Sequence, residues 1–284
     1  MPIAGAWDWP ALRDWFGVRA MPGVDLVEAD GYVRTASLDG QPIIVELRAR
    51  AEDVVVSVRA AAPVDMREVV RRVIRLFDLD RDLSAMRATL GHDPWLASLM
   101  ARHPSLRVPG GWDTFELAVR AILGQQVSIA AARQLATQLV AICGTPLPAP
   151  VRTPELFAVF PTASELAEAD LSTLRMPATR RATLVALARA AADDECLRPD
   201  APLEETIARL RAIKGIGDWT AHYIALRALR HADAFPASDI GLLRGAARET
   251  GERPTPAALL RRAESWRPCR AYAAQLLWAA DCEM

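Results

Sequence analysis

The sequence predicts an α+β protein: a small N-terminal mixed α/β domain, with an antiparallel sheet and helices, followed by a mainly α-helical, two-lobed region. Three observations predict it. Short β-branched runs, broken by turn residues, crowd the N-terminal part. From about Met86 onward only helical patterns are found. Within that helical part, Gly215-Ile216-Gly217 splits two helices into a tight hairpin. The expected division is residues 1–85 for the first domain and 86–284 for the helical region. One lobe spans 112–230, with a helix-hairpin-helix over 203–230, and the other combines 86–111 with 231–284.

In chain order, Val24 to Val27, Tyr32 to Leu38, Ile43 to Leu47 and Val54 to Val58 read as strands. Asp39-Gly40 and Ala51-Glu52-Asp53 break them as hairpin turns would. An amphipathic helix follows from about Val64 to Phe77, with Val69, Val70, Val73, Ile74 and Phe77 on its apolar face. Pro94 to Ala101, Trp112 to Gln126, Ile129 to Cys143, Ala163 to Ala169, Leu171 to Leu174 and Thr179 to Ala192 all fit helices or parts of them. Pro-rich connections around Pro148, Pro150, Pro199 and Pro202 separate them. Leu203, Ile207, Leu210 and Ile213 form one helical face before the Gly-Ile-Gly break, and a second helix runs from Asp218 to about Arg230. The chain then turns at Phe235-Pro236 and delivers Asp239 at the start of another helix.

Composition bounds the function. Apolar residues make up 51% of the 284, enough for a sizeable core, and the formal net charge is −1. A nucleic-acid contact would therefore need a local basic patch, for which Arg244, Arg261, Arg262, Arg267 and Arg270 are candidates, as ordinary solvated helix surface is the alternative. Lys214 is the only lysine. Cys143, Cys196, Cys269 and Cys282 lie far apart without CxxC spacing, which argues against a zinc or iron–sulfur site and fits a reducing cytoplasm. No secretion signal and no membrane span is read, since Arg or Asp interrupts every apolar run. The expectation is a cytoplasmic monomer.

Two chemical readings attach to the hairpin. Gly215 and Gly217 allow the backbone to approach a ligand, and the free N–H groups opening the second helix can hold a phosphate oxygen. The plainer alternative is a C-cap and turn between packed helices. Asp239 is open in the same way, as the N-cap of the next helix or as a chemical group in a cleft.

The run Lys214-Gly215-Ile216-Gly217-Asp218-Trp219-Thr220-Ala221 resembles the helix-hairpin-helix of a DNA glycosylase superfamily, and Phe235-Pro236-Ala237-Ser238-Asp239 resembles its catalytic-acid loop. Ala263 to Tyr272 (AESWRPCRAY) and Arg120 to Ser128 (RAILGQQVS) resemble one branch, the 3-methyladenine DNA glycosylase II family. The resemblance runs along almost the whole chain. It implies an enzyme that flips alkylated purines out of double-stranded DNA and hydrolyses the N-glycosidic bond, starting base-excision repair. Asp239 then matches the catalytic acid. Trp219, Tyr223 and Trp278 match the base pocket, and Trp15 matches it loosely, with Trp9 or Phe16 as substitutes. Gly215, Ile216, Gly217, Thr220, Gln125, Gln126 and Arg244 fall on the DNA side, with Gln126 at the position that fills the gap in the duplex.

Strand-cleaving members of the superfamily carry lysine at the position of Trp219, so a monofunctional enzyme is expected; a bifunctional glycosylase/lyase and a non-catalytic damaged-DNA-binding protein are the rivals. Cys269 and Ile240 depart from the pattern, which puts a tryptophan and an aromatic there. No redox or organic cofactor is implied, only a structural monovalent cation on hairpin carbonyls near Ile213 and Ile216. Trp266, by contrast, reads as core, and His222 and His231 as surface or hairpin residues.

Overall fold

The computed structural model describes residues 7–50, 53–192 and 196–282. Helix α1 (Trp9–Gly17) leads into a four-stranded antiparallel meander, β1 (Asp25–Val27), β2 (Gly31–Leu38), β3 (Gln41–Ala49) and β4 (Val54–Ala60), in that spatial order. The Asp39-Gly40 turn sets the β2–β3 register, with Leu38 opposite Gln41 and both turn residues at positive φ. The turn expected at Ala51-Glu52-Asp53 falls mostly outside the described residues. Helix α2 (Met66–Phe77) covers the sheet and buries Val69, Val73, Leu76 and Phe77 against Tyr32, Val45 and Leu47.

Helix α1 has no counterpart in the sequence expectations. It starts as the rules for helix entry require: the Asp8 carboxylate accepts from Ala11 N–H at 3.0 Å, and Pro10 sits in the first turn. Its shortness and three tryptophan or phenylalanine positions hide its period.

The helical region follows: α3 (Leu83–Leu90), α4 (Pro94–Arg102), α5 (Thr114–Leu123), α6 (Ile129–Cys143), α7 (Ala163–Glu168), α8 (Ala178–Ala192), α9 (Leu203–Ala212), α10 (Asp218–Arg227), α11 (Ile240–Thr250), α12 (Pro256–Ala263) and α13 (Arg270–Cys282). Helix α5 is its axle, buried from Phe115 to Leu123 apart from Arg120. Two expectations fail here. Leu171 to Leu174 form turns, because Asp170 bonds the Ser172 N–H and hydroxyl and Pro177 follows closely. A two-stranded ribbon, β5 (Thr145–Pro146) with β6 (Ala158–Val159), interrupts the helices and is too short for any alternation to be read.

The two layers are joined by a buried ion pair, Arg34 on β2 to Glu116 on α5, at 2.6 Å. Burial pushes the Glu116 carboxyl up, but the Arg34 and Arg120 guanidiniums outweigh it and hold the carboxyl below its ordinary value. Arg120 also donates to the Arg19 carbonyl at 2.6 Å, tying the segment after α1 to the helical region. Among the described residues, no helix is long and apolar enough to cross a membrane.

Candidate active site

The α9–α10 hairpin uses its two glycines differently. Gly215 has φ +96°, and a Cβ there would lie 2.0 Å from the Thr183 hydroxyl oxygen of α8. That hydroxyl donates to the Lys214 carbonyl at 3.0 Å. Gly217, the N-cap position of α10, has φ −89° and ψ −179°, and a Cβ there would meet nothing within 4 Å. Ile216 between them is buried in the core and anchors the turn. Both glycines are exposed, but Gly215 serves the fold, whereas Gly217 stands beside the N–H groups that open α10.

Gln125 and Thr220 also face inward. The Gln125 amide donates to the Gly215 carbonyl (3.1 Å) and to the Thr220 hydroxyl (2.9 Å), and Thr220 is buried. They brace the hairpin from the end of α5. Gln126 is different: it is exposed, with φ +57°, at the tip of the α5–α6 turn beside exposed Val127 and Ile129.

Asp239 is the N-cap of α11, its carboxylate accepting from Leu242 N–H at 3.1 Å. It also accepts from two indoles, Trp219 on α10 (2.7 Å, to Oδ2) and Trp278 on α13 (2.8 Å, to Oδ1). Both sequence alternatives for Asp239 are therefore compatible in one side chain. Helix α11 comes this close to α13 because of small residues: a Cβ on Gly245 would overlap the Leu277 backbone, and one on Gly241 would lie 2.9 Å from the Trp278 ring.

The aromatic residues converge on this carboxylate. Trp219 and Tyr223, one helical turn apart, stack at 5.2 Å and 20°, and Trp278 meets Tyr223 edge-on at 6.1 Å. Trp15 reaches the cluster from α1; Phe16 is buried in the sheet core, and Trp9 packs on Phe77 instead. What links Trp15 to the others is Arg227, whose guanidinium lies 5.2 Å from the Trp15 ring, 5.9 Å from Tyr223 and 4.6 Å from Trp278. Arg227 is 2% exposed, and burial pulls its pKa down to about 10. Arg19, over the Trp15 ring at 4.3 Å, is lowered by burial too. Neither arginine was singled out from the sequence. The signal was present for one of them: Trp219, Tyr223 and Arg227 are spaced four apart on a single helix face.

The expected basic face is largely neutralised. Arg244 forks onto Asp281 (2.8 and 2.6 Å), Arg262 pairs with Asp93 and Glu249, and Arg267 and Arg270 share Asp233 and Glu264. Arg270 is also buried. Glu264 lies close in sequence to Arg267 and Arg270, but Asp281, Asp93 and Asp233 come from distant segments, so those pairings are not revealed by the sequence. Trp266 is buried as expected, donating to Asp93 at 2.9 Å. His222 accepts from Phe235 N–H at 3.3 Å, and burial lowers its pKa. Among the described residues, no cluster of three His, Cys, Asp or Glu side chains could hold a metal ion.

Profile comparison decides the family. Residues 119–271, more than half of the chain, match the HhH-GPD superfamily of base excision DNA repair proteins, and residues 1–113 match the AlkA N-terminal domain. The chain belongs to the HhH-GPD superfamily. Within it, the chain is 38% identical over 280 residues to a Mycobacterium tuberculosis protein described as a probable bifunctional transcriptional activator/DNA repair enzyme AlkA. That alignment takes in 98% of the chain but 56% of the relative, so the chain spans little more than half of that protein's length. The Escherichia coli DNA-3-methyladenine glycosylase 2 is 32% identical over 281 residues, covering 97% of the chain and 94% of the relative. The structure of the Archaeoglobus fulgidus 3-methyladenine DNA glycosylase superposes with a TM-score of 0.85 at 25% identity, over 99% of this chain and 97% of that one. The α+β architecture with a helical hairpin region is the family's.

Proposed function

We propose that the chain is a monofunctional DNA glycosylase that flips alkylated purines, of the 3-methyladenine and 7-methylguanine type, out of duplex DNA and removes them hydrolytically. Asp239 carries this proposal: a carboxylate fixed by two indole N–H groups and one backbone N–H, beside stacked aromatic rings, at the end of a helix-hairpin-helix. As the C1′–N bond breaks, positive charge builds on the sugar. A fixed carboxylate stabilises that charge without reorganising, and it orients the water that adds to C1′. The half-buried Trp219 and Tyr223 offer ring faces to the extruded base. An alkylated purine is already cationic, so it leaves as a neutral molecule and needs no proton donor.

The residue at 219 supports the hydrolytic course. It is tryptophan, and its N–H is committed to Asp239. The sole lysine, Lys214, lies on the other side of the hairpin turn from Trp219, which supports a course without a Schiff base.

The DNA itself is proposed to run across the hairpin, a phosphate resting on the α10 N–H groups at Gly217 and Gln126 reaching into the gap left by the base. A structural monovalent cation on hairpin carbonyls near Ile213 and Ile216 belongs to the same proposal; the Ile213 carbonyl accepts one hydrogen bond, from Ile216 N–H, and keeps a second lone pair.

The test is base release from a duplex with a single 7-methylguanine, by wild type and Asp239→Asn, with and without later alkali and with borohydride trapping. Wild type gives strand breaks only after alkali and no trapped adduct, while Asp239→Asn binds but is silent. A borohydride-trapped adduct would establish the lyase instead, and binding without release would make the chain a damage reader.

A further inference from the structure

Arg244, Arg262, Arg267 and Arg270 all end on carboxylates, whereas three cations left free cluster around the hairpin. Lys214 is exposed at the hairpin itself, Arg180 is half-exposed in the first turn of α8, and Arg175 is exposed in the turn that leads into α8. Among the described residues, no carboxylate pairs with any of the three. Their elements are contiguous. The Thr183 hydroxyl donates to the Lys214 carbonyl at 3.0 Å, and Arg180 precedes Thr183 by three residues, about 4.5 Å along the helix axis. That spacing sets Arg180 on the helix face that Thr183 turns toward the hairpin. Arg175 comes two residues before Pro177, whose carbonyl accepts from the Arg180 N–H at 3.0 Å. Its own N–H donates to the Gln138 side chain of α6 at 3.4 Å, which holds the turn in place.

The surroundings carry little negative charge. No Asp or Glu occurs from Leu117 to Pro154, which includes α6, or from Leu171 to Ala192, which includes α8. The acids nearest along the chain are engaged: Asp170 accepts from the Ser172 N–H and hydroxyl, each at 2.9 Å, and Asp218 faces Arg211 at 3.9 Å. Arg181 is spent on the carbonyls of Leu174 and Met176, so it braces the turn. A chain of net charge −1 thus carries a local cationic strip that its own carboxylates do not cancel. We infer that Lys214, Arg180 and Arg175 form an electrostatic strip that grips the phosphates of duplex DNA, damaged or intact, away from the extruded base. This rests on the proposed DNA path across the hairpin, which it extends from the α10 N–H groups onto α8. Contacts of this kind hold the duplex in place and carry no sequence information. They supply affinity for intact DNA, along which a lesion has to be found.

The experiment measures the salt dependence of binding to an intact duplex. Each phosphate that a cation neutralises contributes about 0.9 to the slope of log K against log salt. Neutralising all three at once, with Arg175→Gln, Arg180→Gln and Lys214→Gln, lowers the slope by about 2–3 and weakens binding roughly tenfold or more at fixed low salt. The charge-preserving set Arg175→Lys, Arg180→Lys and Lys214→Arg keeps the wild-type slope. Arg59→Gln, on the outer strand β4, reports the effect of net charge alone. An unaltered slope in the neutral triple variant overturns the inference. So does an equal loss in the charge-preserving one, or a fall with Arg59→Gln as large as that for each cation of the strip. Release of 7-methylguanine by wild type, followed in parallel, keeps the two readings apart. Release together with an unaltered slope overturns the strip and leaves base excision standing. No release, with the slope lost in the neutral variant, leaves the strip standing and overturns base excision.

Discussion

The two glycines of the hairpin separate fold from function, and substituting each by alanine exposes the difference. At Gly217 the backbone is extended and a methyl group meets nothing, so the native state accommodates it. Alanine is a poorer N-cap than glycine, but it also restricts the unfolded chain, and the two effects oppose each other, leaving stability within about 0.5 kcal/mol of wild type. The same methyl projects where a phosphate is proposed to meet the first N–H groups of α10. Losing one hydrogen bond to a charged group costs roughly 1.5–3 kcal/mol, equivalent to about a 10- to 150-fold weaker Kd. At Gly215 the reverse holds. A φ of +96° strains any residue with a Cβ, by roughly 1–2 kcal/mol. The Thr183 hydroxyl must also move from 2.0 Å away and give up its bond to Lys214, about 0.5–1.5 kcal/mol more. Gly215→Ala thus loses roughly 1.5–3.5 kcal/mol and about 3–14 °C in Tm. Thermal unfolding and duplex binding at fixed salt read both out. If Gly217→Ala binds duplex within twofold of wild type while keeping its Tm, no phosphate sits on the start of α10 and the proposed DNA path is wrong.

Other consequences are open to equally direct measurement. Gln125→Ala removes two hydrogen bonds from the hairpin and should destabilise the protein by about 1–3 kcal/mol, seen as a lower Tm; an unaltered Tm would show that Gln125 does not brace the turn. Gln126→Gly eases a φ of +57° and should leave Tm level or raised, yet slow single-turnover base release; an unchanged rate removes Gln126 from the gap-filling role. Glu116→Gln strands the buried Arg34 charge and should cost about 3–5 kcal/mol near neutral pH. Because the Glu116 carboxyl is held below its ordinary value in the folded state, its contribution is present above the unfolded carboxylate pKa and is lost as pH falls through the lowered one. Wild-type and Glu116→Gln unfolding curves should therefore converge under acid, and a gap that stays constant with pH would refute the ion pair's role.

What was legible in the sequence was local. The four strands announced themselves by β-branched runs between Gly and Asp turns, and α6 fell on the expected residues because Ser128 caps its start and Gly144 follows its end. Asp239 was legible as an N-cap for the same reason. The Gly-Ile-Gly break located the hairpin, but not the division of labour inside it, since Thr183, which makes Gly215 necessary, lies on α8. The pairing of Arg244 with Asp281 spans 37 residues of sequence, and that of Arg262 with Asp93 spans 169. Both depend on helix packing that no local pattern encodes. Arg227 was missed for a different reason: a charged residue on an amphipathic helix is ordinarily placed on the solvent side, and here the tertiary fold turns it toward three aromatic rings.

The Asp239 carboxylate is held from three parts of the chain: its own helix start, α10 and the C-terminal helix α13. Gly241 and Gly245 let α13 sit directly against α11, so the Trp278 indole cannot slide away without separating two helix backbones. The orientational entropy of the carboxylate is therefore surrendered when the chain folds, before any DNA is met. Under the proposed base excision, a carboxylate prepared in this way need not be reoriented when a base arrives, and the ordering that remains falls to the DNA.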